Sequence, residues 1–97
     1  MKHLYKFEAD CGRMGCVESV FIAEESEVEH AIGQDAYFGE ILGKHSDISF
    51  DLKANHFRVI LIDQDAVLEI QKAVGDTLSG YNPLFYVEDP MEEDEEN

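Results

Sequence analysis

Ninety-seven residues, 44% of them hydrophobic and ten of them aromatic, suffice for one domain with a modest core and are too few for two. Twenty-two Asp and Glu against seven Lys and Arg leave a net charge of -15, which excludes bare nucleic acid and anionic lipid as natural partners and favours a cationic surface. No run approaches the roughly 18 apolar residues of a membrane span, and no secretory apolar region follows Met1. The chain is therefore expected in the cytosol, with Cys11 and Cys16 as thiols.

In chain order, KFEADCGRMGCVESVFIA reads as a β-hairpin: Tyr5, Phe7, Ala9 and Cys11 alternate with Lys6, Glu8 and Asp10, and Gly12 and Gly15 mark the turn. Ser26 and Glu29 have capping-box spacing, Val28 and Ile32 share a helix face, and Gly33 ends that short helix. AYFGEIL predicts a strand. HSDISFDLK predicts another, burying Ile48, Phe50 and Leu52 and exposing Asp47, Ser49, Asp51 and Lys53. FRVILI, the most apolar run, reads as a central strand. The second helix takes Asp63 or Asp65 as N-cap, Val67, Ile70 and Val74 as its apolar stripe, and Gly75 as its stop.

SGYNPLFYVE turns at Asn82-Pro83 and adds either an edge strand or an ordered segment. EDPMEEDEEN, with seven acids in ten residues, predicts a disordered tail from Pro90 onward. The expected architecture is α+β: residues 1–89 form one domain in the order ββαβββα, a mostly antiparallel sheet with both helices on one face, and 90–97 form the acidic tail.

Catalytic signatures are absent from the sequence. It contains no GxSxG, HExxH, GxGxxG or phosphate-loop glycine pattern, and GEILGKHSD lacks the Ser or Thr that would follow a phosphate-binding lysine. A zinc site could draw on Cys11, Cys16 and two of His3, His30, His45 and His56. The CxxxxC spacing is wider than a zinc knuckle, however, and favours two small side chains facing each other across the hairpin. The expectation is a binding protein without metal or cofactor. Arg13 and Arg58 suit structural ion pairs better than phosphate binding.

Charge is the informative feature. Residues 1–22 balance at zero, 23–50 carry -6, 51–75 carry -1, and 76–97 carry -8. Acids in a helix's first turn gain about 0.3–1 kcal/mol each from its dipole, which accounts for part of Glu24, Glu25, Glu27 and Glu29. Against this, the i, i+4 pair Glu25 and Glu29 costs about 0.2–0.5 kcal/mol, and Asp35, Glu40, Asp47 and Asp51 have no such explanation. Rows such as Glu25 and Glu29, Asp47 and Asp51, and Asp63 and Asp65 would set carboxylates about 6 Å apart, close to phosphate spacing along DNA. A basic groove built for nucleic acid would accept such rows.

With its acids concentrated in AEESEVEHAIGQDAYFGE and a DPMEEDEEN tail, the chain resembles the small phage-encoded DNA mimics, most closely anti-CRISPR proteins that block type I surveillance complexes. The resemblance rests on size and acid distribution. It implies an inhibitor that occupies the basic DNA-docking surface of the surveillance complex in the host cytosol and prevents target recognition. The partner-binding candidates are the exposed acids Glu24, Glu25, Glu27, Glu29, Asp35, Glu40, Asp47, Asp51, Asp63 and Asp65. The same charge pattern would also fit an inhibitor or adaptor of a restriction or repair enzyme, and the cysteines leave a small metal-binding module as the alternative from a different class.

Overall fold

A computed structural model describes residues 1–41 and 47–89. The expected acidic tail, and Lys44 and His45 of the predicted turn, lie outside the described residues. Nine-residue strands β1 (Lys2–Asp10) and β2 (Cys16–Glu24) pair in register along their whole length. At the tip, Gly12 takes a left-handed conformation, and its N–H donates to Asp10 Oδ1 at 2.8 Å. After β2 come α1 (Glu25–Ala31), β3 (Asp35–Gly39), β4 (Ile48–Asp51), β5 (Phe57–Leu61), α2 (Gln64–Val74) and β6 (Thr77–Gly80). This is the α+β order ββαβββα with one added strand. The antiparallel strands form a four-stranded sheet, β5-β1-β2-β6, and a separate β3-β4 ribbon. Among the described residues, no helix is long and apolar enough to cross a membrane.

Strand alternation divides the interior into two layers. Tyr5, Phe7, Ala9, Val17, Phe21 and Ala23 point to one side, where they pack with Val28 and Ala31 of α1, with Phe38 and Ile48 of the ribbon, and with Leu52 and Val87. Leu4 and Ile22 point to the other side and meet Val67 of α2, flanked by Leu61 and Ile70. The helices thus lie on opposite faces of the sheet, not on one face as the sequence suggested. The alternating charges of β1 concealed a second apolar set, sparse enough for a single helix to cover.

FRVILI also departs from expectation. β5 is an edge strand, paired with β1 alone and bulged where Leu4 and Tyr5 pair with Leu61 and Val59. The long hairpin takes the centre, so Val59, Ile60 and Ile62 stay exposed. Val74, expected in the apolar stripe of α2, is exposed at its last turn, while Asp63 is the N-cap and accepts from the N–H groups of Asp65 and Ala66 at 3.0 and 3.3 Å. At the opposite edge, β6 lies so close to β2 that a Cβ on Gly80 would run into the Glu18 carbonyl oxygen. Beyond it, Asn82 and Pro83 are buried in a 3₁₀ turn (Pro83–Phe85), and Val87 bridges to Ala36.

Ser19 sits on the large-core side of β2, and its hydroxyl oxygen is buried without a partner among the described residues. Removing an unsatisfied buried polar atom recovers its desolvation cost. Ser19→Ala is expected to raise stability by about 1 kcal/mol in denaturant unfolding, and a loss of that size would show that the hydroxyl is satisfied.

Candidate functional site

The sheet face that carries α1 and the ribbon also carries most of the acid. β2 runs directly into α1, with Glu24 extended at the N-cap position. The predicted capping residue, Ser26, lies inside the helix. Glu27 instead closes the box, accepting the Glu24 N–H at 2.9 Å, and the Glu24 carboxylate receives the Met1 ammonium at 2.7 Å. Val28 and Ala31 face inward, which turns Glu25 and Glu29 to solvent one helical turn apart.

The field of this turn reaches the core. Burial, followed by the charges of Glu25, Glu29 and Glu24, pushes the Tyr5 phenol up to about 12 from its ordinary 10.0. A raised folded-state value favours the neutral phenol, so its stabilising contribution is complete below pH 10 and is lost as pH rises through about 12. In a phenolate absorbance titration, Tyr5 is expected to ionise late and Tyr5→Phe to remove that late step. A single transition near pH 10 for all four tyrosines would contradict the burial of Tyr5 beneath these acids.

After α1, the Gly33 N–H donates to Leu52 O at 2.7 Å and the Leu52 N–H to Gln34 O at 2.8 Å, which fixes the ribbon against the helix C-terminus. Ala36 and Phe50 pair on its inner side, leaving Asp35 opposite Asp51 and Tyr37 opposite Ser49 on its outer side. Two carboxylates stand directly across the strands where an Asp–Lys pair would be favourable. Tyr37 donates to Asp47 at 2.7 Å, and that bond, with a lesser push from burial and from the Asp47 and Glu40 charges, raises its phenol above the ordinary range.

Two further acids join this layer from the far end of the chain. Val87 docks beside β3, and Gln34 clasps Asp89 in both directions: its Nε2 donates to Asp89 O at 2.9 Å and its Oε1 accepts the Asp89 N–H at 3.1 Å. His30 Nε2 lies 2.9 Å from the same carbonyl. Residues 24–41, 47–52 and 84–89 together hold ten acids and no lysine or arginine.

Four of the six described lysines and arginines stand on the opposite side: Lys2 donates to Gln71 of α2 at 3.3 Å, Lys6 pairs with Glu18 at 3.6 Å, Arg58 stands across from Lys6, and Lys72 belongs to α2. Arg13 is at the hairpin tip, and Lys53, directly after Leu52, lines a cleft with Asp47 and Asp51 at the margin of the ribbon. Of the ten predicted partner-binding acids, eight belong to the α1 and ribbon layer. Asp63 and Asp65 do not; they sit at the start of α2, on the other sheet face, where the helix accounts for them. Glu88 and Asp89 belong with the eight, and the signal for them was the apolar run before them, of which Leu84, Tyr86 and Val87 pack on the core while Phe85 stays exposed.

The cysteines do not face each other across the hairpin. Cys16 stands opposite Asp10 and is exposed, whereas Cys11 follows the strand end and packs half-buried against the core. Burial, then the nearby Asp10 and Cys16, pushes the Cys11 thiol up, away from the thiolate that metal binding requires. Among the described residues, no three of His, Cys, Asp and Glu gather closely enough to hold a metal ion. His56, edge-on to Phe7 and Phe50, is held below its ordinary value by burial and by Lys53. No protein family, curated protein or solved structure matches the chain.

Proposed function

We propose that the chain is a non-catalytic inhibitor whose acidic layer occupies a basic surface built for nucleic acid. A type I CRISPR surveillance complex in the host cytosol is the target that the resemblance of the sequence suggests. The observation that carries the reading is the segregation of charge: among the described residues, α1, the ribbon and residues 84–89 contribute ten acids to one layer, with Lys53 the base at its margin. Solubility asks for a net charge of only about 2–8 in magnitude and sets no preference between faces. Concentration on one face, including Asp35 directly against Asp51, opposes folding locally and becomes favourable when guanidinium and ammonium groups approach from a partner.

Like-charge rows held on a helix and a ribbon also keep their spacing without help from the ligand, so little ordering cost falls on binding. The predicted signature is electrostatic: affinity for the purified surveillance complex falls steeply as salt rises from about 50 mM to about 0.5 M, where the Debye length contracts several-fold. Binding that is flat across that range would remove the acidic layer from the interface. Steep binding to a restriction or repair enzyme, with none to the surveillance complex, would keep the mimicry and change the target.

A further inference from the structure

The composition of β5 belongs to a strand buried on both edges, yet the fold gives it one neighbour. Its run, Phe57 to Ile62, exposes Val59 at 42%, Ile60 at 45% and Ile62 at 65%, and β1 is its only sheet partner among the described residues. An apolar edge of this kind is a template for another strand, and protein edges are ordinarily protected by charge, proline or a covering element. The bulge at Ile60 gives partial protection, and Arg58 is the one charge within the run.

We propose that β5 pairs with β5 of a second copy of this chain, joining two four-stranded sheets into one across a two-fold axis. Charge distribution selects this occupant. A chain at -15 repels its own copies through residues 23–50 and 76–97, which hold -14 of that charge, but residues 51–75 carry only -1, and β5 itself carries Arg58 without an acid. The acidic layer covers the sheet face opposite α2, so contact along the β5 edge brings together a nearly neutral part of each copy, next to the charge-balanced β1. An antiparallel self-pair sets one residue against its own copy. With the axis beside Ile60, Val59 meets Leu61, so apolar side chains face apolar ones where solvent now lies. The inference does not depend on the function of the acidic layer.

Self-association through this edge must overcome the summed repulsion of two acidic bodies, so salt strengthens it, opposite to its effect on the proposed partner binding. Sedimentation or light scattering of the intact chain, at rising protein concentration and from about 50 mM to about 0.5 M salt, tests it. The expected result is a doubling of the 11.0 kDa mass that grows with both variables and is abolished by Ile60→Glu and by Val59→Glu, with the monomer's thermal transition retained. A chain that stays at 11.0 kDa throughout overturns the proposal and leaves β5 for some other strand. A dimer that survives both substitutions overturns it as well, because the contact then lies elsewhere.

Discussion

Changing Glu25, Glu29, Asp35 and Asp51 together to their amides is expected to weaken partner binding by about a hundredfold while leaving the fold intact. Each carboxylate about 4 Å from a partner cation is worth about 1 kcal/mol in water before screening, and every 1.4 kcal/mol is tenfold in affinity. Four such contacts, reduced by salt, give about two decades. Stability moves the other way. Relief of the Asp35–Asp51 opposition returns about 0.2–1 kcal/mol, and relief of the Glu25–Glu29 pair about 0.2–0.5, partly offset by the loss of Glu25 from the helix's first turn. Binding titrations and urea melts on the same variant check both halves. Lost binding with a small gain in stability is the pattern of a surface shaped by a partner. Unchanged binding would mean that the contact lies outside α1 and the ribbon.

The largest loss of stability is expected at Phe7. Its side chain is fully buried at the centre of β1, and its ring packs against Phe38 and Phe50 of the ribbon and Phe57 of β5, with His56 edge-on. It therefore holds the acid-bearing ribbon to the main sheet as well as filling the core. Phe7→Ala is expected to cost about 3–5 kcal/mol, a large share of the 5–15 kcal/mol that holds a typical domain together. The variant should melt far earlier and lose binding through loss of structure. Phe7→Leu, which keeps most of the volume, should retain both, and equal damage from the two would show that the aromatic contacts, not packing volume, support this region.

Local pattern made much of this fold legible. The β1-β2 hairpin, the helix started by Asp63 and the burial of Ile48 and Leu52 follow from period, turn and capping rules that act within a few residues. What was hidden depended on contacts between distant segments. FRVILI has the composition of a central strand, and nothing within six residues records that a nine-residue hairpin already holds the centre. The sequence points both helices to one face because Lys6 and Glu8 mask the second apolar side of the hairpin, where Leu4 of β1 and Ile22 of β2 meet Val67.

The acidic block was readable as composition, but its membership was not. Asp63 and Asp65 are close in sequence to the block yet fold to the other face, while Asp89 joins it through a clasp with Gln34 across 55 residues of chain. Tyr37, bound to Asp47 amid these acids, carries no charge at neutral pH and so left no mark in the charge count.

Competition with duplex DNA tests the central claim most directly. With the purified surveillance complex and its labelled target duplex, rising concentrations of the chain should displace the DNA, and the fourfold amide variant should fail to do so at matched concentration. Simultaneous binding of chain and duplex, or equal displacement by the amide variant, would contradict occupation of the DNA surface by the acidic layer.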